Sequence, residues 1–230
     1  MAYVLVHGAG MGGDCWDRLV PLLDEEVVAV DLPGRGVRAD GDVARVSLSD
    51  CAAALEEDVV SRDLRDVVLV AHSFAGVAVP RVMASLADRL RHVVFLSAVV
   101  PEDGTAVIDQ IDPAVRDAVM ESIEGGVYHQ SPQGVRFMLC NDMDEEQAAW
   151  TLGQVVDDSA ALLTEPVDLS GLSAPVPRTY IRLTNDVCYP PELQERSVGI
   201  VGGDVQYLDT GHMAMVTAPE RLAAVLTSLA

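Results

Sequence analysis

Short solid runs of apolar, often β-branched residues recur along the chain, separated by stretches with helical character. Runs near residues 2–6, 26–31, 67–72, 92–98, 178–183 and 205–208 read as strands, and helices fall near 15–24, 48–62, 74–88, 189–198 and 214–229. Solid apolar runs are what strands buried on both faces require, so the alternation predicts a mainly parallel sheet of about six strands covered by helices on both sides. Asp31-Leu32-Pro33-Gly34-Arg35-Gly36 ends the second strand in a turn, where Pro and Gly stop the sheet. In the helix read from Gly76 to Met83, Pro80 is the one discordant residue.

The alternation breaks over residues 101–165. Helical stretches from Pro113 to Ile123 and from Glu145 to Val155 are joined there by Gly125-Gly126 and Ser131-Pro132-Gln133-Gly134. An insertion at this point sits over the carboxyl ends of the strands, the edge at which open α/β sheets bind ligands. Residues 101–165 are therefore expected to form a small helical cap within a single domain spanning 1–230. A chain of 230 residues, half of them apolar, is long enough for one sizeable core. No linker, repeat or low-complexity run argues for a second domain.

Val67-Val68-Leu69-Val70-Ala71-His72-Ser73-Phe74-Ala75-Gly76 is the most informative segment. A strand turns at once into a helix, with a serine at the apex flanked two residues away by the small Ala71 and Ala75. A tight turn of this kind holds a nucleophilic serine at the end of a sheet. An ordinary strand-to-helix loop shares these features, so the order of two further segments decides. The chain opens on an apolar strand running into His7-Gly8-Ala9-Gly10-Met11-Gly12-Gly13, and it nearly closes on Asp209-Thr210-Gly211-His212-Met213 before the last helix. A glycine-rich loop first, a serine turn in the middle and a histidine last is the chain order of a Ser-Asp-His hydrolase.

A serine hydroxyl needs a base within hydrogen-bond reach, and His212 is the candidate. His7 is assigned to support of its loop, His72 projects from the turn in another direction, His92 starts a strand and His129 lies in the cap. Asp186 follows the strand at 178–183 and is the favoured carboxylate to orient the base. Asp209, closer in sequence, would have to reach backwards and is expected to cap its own turn. Two backbone N–H groups must face the oxyanion, and those of Ala9 and Phe74 are the candidates. The first loop lacks G-x-G-x-x-G spacing, which argues against a dinucleotide site.

Charge narrows the partners. The formal net charge is −21, and all 15 basic residues are arginine. So negative a field argues against nucleic acid and anionic membrane surfaces. With no lysine, Schiff-base chemistry and P-loop phosphate binding are excluded. The four cysteines (Cys15, Cys51, Cys140, Cys188) are scattered, as reduced thiols of a cytoplasmic protein would be. No signal-peptide pattern opens the chain, and no apolar run reaches the roughly 20 residues of a membrane span.

From end to end the chain resembles the α/β-hydrolase superfamily. More narrowly, it resembles the branch of plant methylesterases, hydroxynitrile lyases and related small bacterial esterases. The residues that carry this are Val4-Leu5-Val6-His7-Gly8-Ala9 almost at the N-terminus, Trp16 with Val20-Pro21-Leu22-Leu23, and Val28 through Gly36. Ala71 through Gly76, Pro177 through Ile181, and Gly211-His212-Met213 complete the set. The resemblance implies a triad working without cofactor or metal, beneath a cap that covers a mostly apolar pocket. Met11, Phe74 and Met213 beside the catalytic loops, and Tyr128, Phe137, Met138 and Trp150 in the cap, are the candidate pocket residues. The lyases of the branch carry threonine after the first-loop histidine and lysine beside the catalytic one; here these are Gly8 and Met213. The expected function is a carboxylesterase acting on a small apolar ester, as a monomer or homodimer. The alternatives are lactone opening, carbon–carbon cleavage or elimination on a pathway intermediate, or a ligand receptor with slow turnover.

Overall fold

Six parallel strands set the frame of the molecule. A computed structural model describes residues 1–113 and 115–230 with their side chains. The strands are β1 (Ala2–Val6), β2 (Glu26–Val30), β3 (Val67–His72), β4 (Leu90–Leu96), β8 (Arg178–Leu183) and β9 (Asp204–Leu208), in the spatial order β2-β1-β3-β4-β8-β9. Every neighbouring pair is parallel. The central strands β1 and β3 are buried along their whole length, which is why they read as solid apolar runs.

Alternation divides each strand between two cores. Val4, Val6, Leu69 and Ala71 face one side, where helices α1 (Leu48–Ser61) and α2 (Val79–Met83) pack through Leu48, Leu55, Val79 and Met83. Tyr3, Leu5, Val68 and Val70 face the other, against Trp16, Leu19 and Leu222 and Leu226 of the last helix. Helix α1 starts on a reciprocal cap: Asp50 N–H donates to Ser47 Oγ, and Ser47 N–H donates to Asp50 Oδ2.

The segment between β4 and β8 holds α3 (Pro113–Glu121), α4 (Pro132–Leu139), α5 (Glu145–Leu152) and α6 (Ala161–Thr164). It also holds a small antiparallel sheet of β5 (Ile123–Glu124), β6 (Val127–Tyr128) and β7 (Asp158–Ser159) that alternation did not predict. After β8 come α7 (Pro191–Val201) and, after β9, α8 (Ala214–Thr217) and α9 (Pro219–Ser228).

Three expected helices are broken, each time beside a proline. The stretch near 15–24 is two tight turns, Gly13–Trp16 and Val20–Leu22, because Pro21 has no N–H with which to continue a helix. The stretch near 74–88 begins as a tight turn, Ser73–Val77, and becomes α-helical only over α2, with Pro80 in its first turn. The terminal helix is cut at Ala218, whose backbone is pushed out of the helical region before Pro219. The predicted strand at 92–98 starts earlier, at Leu90, and ends at Leu96, where Ser97 adopts φ +40°.

The turn after β3 is braced on the chain leaving β4. Val99 N–H donates to the Ser73 carbonyl at 2.8 Å. A Cβ on Gly76 would press into the Val99 carbonyl oxygen, a backbone atom that cannot swing aside. Gly76→Ala is therefore expected to cost about 2 kcal/mol or more, read by urea denaturation. A loss below about 0.5 kcal/mol would mean that the contact with Val99 is not a constraint.

Candidate active site

Ser73 stands where β3 turns, with φ +53°, a left-handed backbone that a residue bearing a Cβ adopts only when its surroundings impose it. The exit loop of the neighbouring strand β1 presses against it. A Cβ on Gly8 would lie 2.7 Å from Ser73 Cβ, so only glycine lets the first loop come this close.

The loops after β8 and β9 complete the cluster. His212 Nε2 lies 2.9 Å from Ser73 Oγ, and His212 Nδ1 lies 2.7 Å from Asp186 Oδ2. All three side chains are buried. Asp186 Oδ2 also accepts from Ser97 Oγ–H at 2.6 Å, and Oδ1 accepts from the N–H groups of Cys188 and Tyr189 at 2.8 and 2.9 Å. Asp209 lies elsewhere. It is exposed and accepts from Thr184 Oγ1 and Asn185 Nδ2, tying the turn after β8 to the end of β9.

Electrostatics single out one histidine. Burial by itself would lower the His212 pKa, but the Asp186 carboxylate and, after it, the Cys188 side chain together outweigh it and the net shift is well upward. Burial likewise opposes the charged form of Asp186, and His212 with the Ser97 and Tyr189 hydrogen bonds more than offsets this, so its carboxyl is held below the usual value. His7 and His72, both buried without a carboxylate partner, are pushed down to about 3 and stay neutral.

These two neutral rings are nonetheless part of the architecture. His7 Nε2 accepts from Leu32 N–H at 3.2 Å, so its proton is on Nδ1, which donates to the Gly8 carbonyl at 2.8 Å. That carbonyl belongs to the same trans peptide as the Ala9 N–H, so anchoring one end aims the other. His72 Nε2–H donates to the His212 carbonyl at 3.0 Å, and the two rings lie 4.7 Å apart. His72, beside Ser73 in the turn, thus supports the backbone of His212. Among the remaining histidines, His92 meets Thr179 Oγ1 at 2.9 Å and His129 meets Asp157 at 2.9 Å on the surface of the segment between β4 and β8.

A cavity of about 10 Å³, room for roughly one water, adjoins the two loops expected to carry the oxyanion donors; Ala9 and Phe74 both line it. The other candidate pocket residues do not. Met11 and Met213 are buried in the core beside Trp16. Met138 and Trp150 pack on that same core, with the Arg18 guanidinium 5.2 Å from the Trp150 ring centre. Tyr128 packs half-buried on the opposite core, and Phe137 is 70% exposed on helix α4. Arg35 and Asp158, which sequence reasoning did not single out, form an ion pair at the cavity wall. Among the described residues no group of three or more His, Cys, Asp or Glu is placed to hold a metal ion. No helix among them is long and apolar enough to cross a membrane.

The whole arrangement matches a known family. Residues 3–225 match the model of the alpha/beta hydrolase family, and the chain belongs to it. Norfluorocurarine synthase 1 of Strychnos nux-vomica is 28% identical over 99% of this chain and 94% of its own length. Methylesterase 7 of Arabidopsis thaliana is 25% identical over 99% of this chain and 95% of its own. An extracellular alpha/beta-hydrolase from a Paenibacillus species superposes with a TM-score of 0.89 at 23% identity, covering 100% of this chain and 98% of that one. Within the family the chain belongs to the plant methylesterase-like branch.

The upward shift of His212 has a direct test that needs no substrate. In Asp186→Asn the largest group opposing burial is gone, so the His212 pKa should fall well below its wild-type value, as followed by histidine NMR titration. Asp209→Asn should leave it within a few tenths of a unit. Equal responses to the two substitutions would undo the assignment of Asp186 as the partner.

Proposed function

We propose that this protein is a serine carboxylesterase acting through an acyl-enzyme. The observation that supports it best is the hydrogen-bonded relay from Ser73 Oγ through His212 to Asp186, at 2.9 and 2.7 Å. Ser73 Oγ attacks the ester carbonyl while His212 Nε2 takes its proton, and the carbonyl electrons move onto oxygen. The N–H groups of Ala9 and Phe74 hold that oxyanion, Phe74 at the start of a helical turn where the backbone dipoles add to the field. The tetrahedral adduct collapses, the alkoxide leaves with the proton returned by His212, and Ser73 is acylated. Water deprotonated by His212 then attacks the acyl group, and the acid and free serine are released. Asp186 holds the imidazole in the Nδ1–H form and steadies the imidazolium. The relation to Methylesterase 7 supports ester hydrolysis as the reaction.

The relation to a protein named a synthase favours one further reading: a pathway-specific reaction on the same three residues. Product analysis separates the two, since an esterase releases an acid and an alcohol in equal amounts.

Hydrolysis of short-chain p-nitrophenyl esters tests the proposal. Ser73→Ala and His212→Ala should each lower kcat by about 10,000-fold or more, and variants matching wild type would overturn it. The neutral imidazole is the working base and its pKa is raised, so kcat/KM should climb with pH through an inflection above 6.5. An inflection at or below that value would contradict the assignment of His212 as a base paired with an anion.

A further inference from the structure

Between α4 and α5 the inserted segment turns through Asn141 and Asp142, two exposed polar residues. Asn141 Nδ2–H donates to the Asn185 carbonyl at 2.8 Å, and the Gly211 N–H donates to Asp142 Oδ2 at 2.5 Å. Each bond lands one residue ahead of a member of the triad: Asn185 precedes Asp186, and Gly211 precedes His212. The two loops are also tied to one another, because the Asn185 N–H donates to the Thr210 carbonyl at 3.0 Å.

These bonds form a closed circuit. The Thr210 carbonyl and the Gly211 N–H belong to one planar peptide, so Asn185 and Asp142 fix both of its polar ends. Asn185 is held in the same way, its N–H by Thr210 and its carbonyl by Asn141. Asn141 and Asp142 are neighbours in the chain and complete the circuit. Gly211 is buried beneath them, and a Cβ there would press into the Oδ1 atoms of both. After His212, its own carbonyl accepts from His72 Nε2–H at 3.0 Å. The backbone that carries the imidazole is therefore anchored on both sides.

That anchoring bears on the chemistry. His212 must stay within hydrogen-bond reach of Ser73 Oγ and of Asp186 Oδ2 at once, at 2.9 and 2.7 Å. A shift of its loop by about 1 Å would take one of these out of range. Resting on the esterase reading, we propose that Asn141 and Asp142 are positioning residues. They act through the backbone of Asn185 and Gly211, which keeps the His212 imidazole in register with Ser73 and Asp186.

Hydrolysis of p-nitrophenyl acetate tests this, with folding checked by circular dichroism and rates read well below the Tm. Asp142→Ala should lower kcat/KM about tenfold or more. Asp142→Asn keeps an acceptor for the Gly211 N–H and should bring the value back to within about threefold of wild type. Full activity in Asp142→Ala would overturn the proposal. So would an equal loss in both variants, since the charge of Asp142 and not its hydrogen bond would then matter. Gly211→Ala displaces the same two oxygens, so adding Asp142→Ala to it should cost nothing further. Additive losses would mean that Asp142 does not act through Gly211. If Asp142→Ala does not fold, Asn141→Ala is read in its place, with a loss expected and full activity overturning the role.

A readout without substrate separates this proposal from the esterase reading. The His212 Nδ1 proton shared with Asp186, followed as a low-field 1H NMR signal, should exchange with water about tenfold faster in Asp142→Ala than in wild type. If wild type hydrolyses no ester above Ser73→Ala, the esterase reading fails and this exchange alone decides. Equal rates would refute the positioning role.

Discussion

The site depends on keeping a carboxylate ionised where water barely reaches. Asp186 is 2% exposed, and an ion so buried persists only if its lone pairs are met by donors or charge. Four donors do this: two backbone N–H groups from the turn that follows it, the Ser97 hydroxyl from the end of β4, and His212 from the loop after β9. Each donor comes from the carboxyl edge of the parallel sheet. Satisfying one buried charge thus pins three adjacent strand ends to one another and carries the imidazole to Ser73.

The parallel sheet makes that convergence cheap to build. All six strands point the same way, so every strand-exit loop emerges at one edge, and residues far apart in sequence meet there. Strand β1 sends Gly8 against Ser73 at the end of β3, and the fit demands glycine on one side and a strained serine on the other. The same edge receives the inserted segment. Val156 N–H donates to the Gly10 carbonyl at 3.0 Å while Asp158 takes the Gly10 N–H, so both polar groups of one glycine in the first loop are held from above.

How much of this could be read from the chain follows from the range of the forces involved. The strands were legible because burial on both faces writes itself into consecutive residues, and Ser73, Asp186 and His212 because each follows a strand, in a fixed order. Helix boundaries were less so. The apolar spacing runs on through Pro21, Pro80 and Pro219, and only the missing N–H of each ends or delays the helix. Ser97, His72 and the Arg35–Asp158 pair were not legible at all. Their partners stand 89, 140 and 123 residues away, and nothing local distinguishes a serine after a strand or an arginine in a Pro-Gly turn from its solvated counterparts. The small sheet of the inserted segment, with two residues per strand, is too short to show a period.

Three histidines share this one site, and the same burial acts on all of them. It holds His7 and His72 neutral, each with a single proton fixed by a backbone carbonyl, so both serve as rigid spacers that aim a peptide or support a loop. A positive charge on His72 would lie 4.7 Å from the His212 ring and oppose its protonation. Only His212 has a carboxylate, and only its pKa rises. The difference between a structural and a titrating imidazole here therefore rests above all on one ion, Asp186, placed beside one ring of three. The desolvation that silences the other two is what makes that ion's field strong enough to matter.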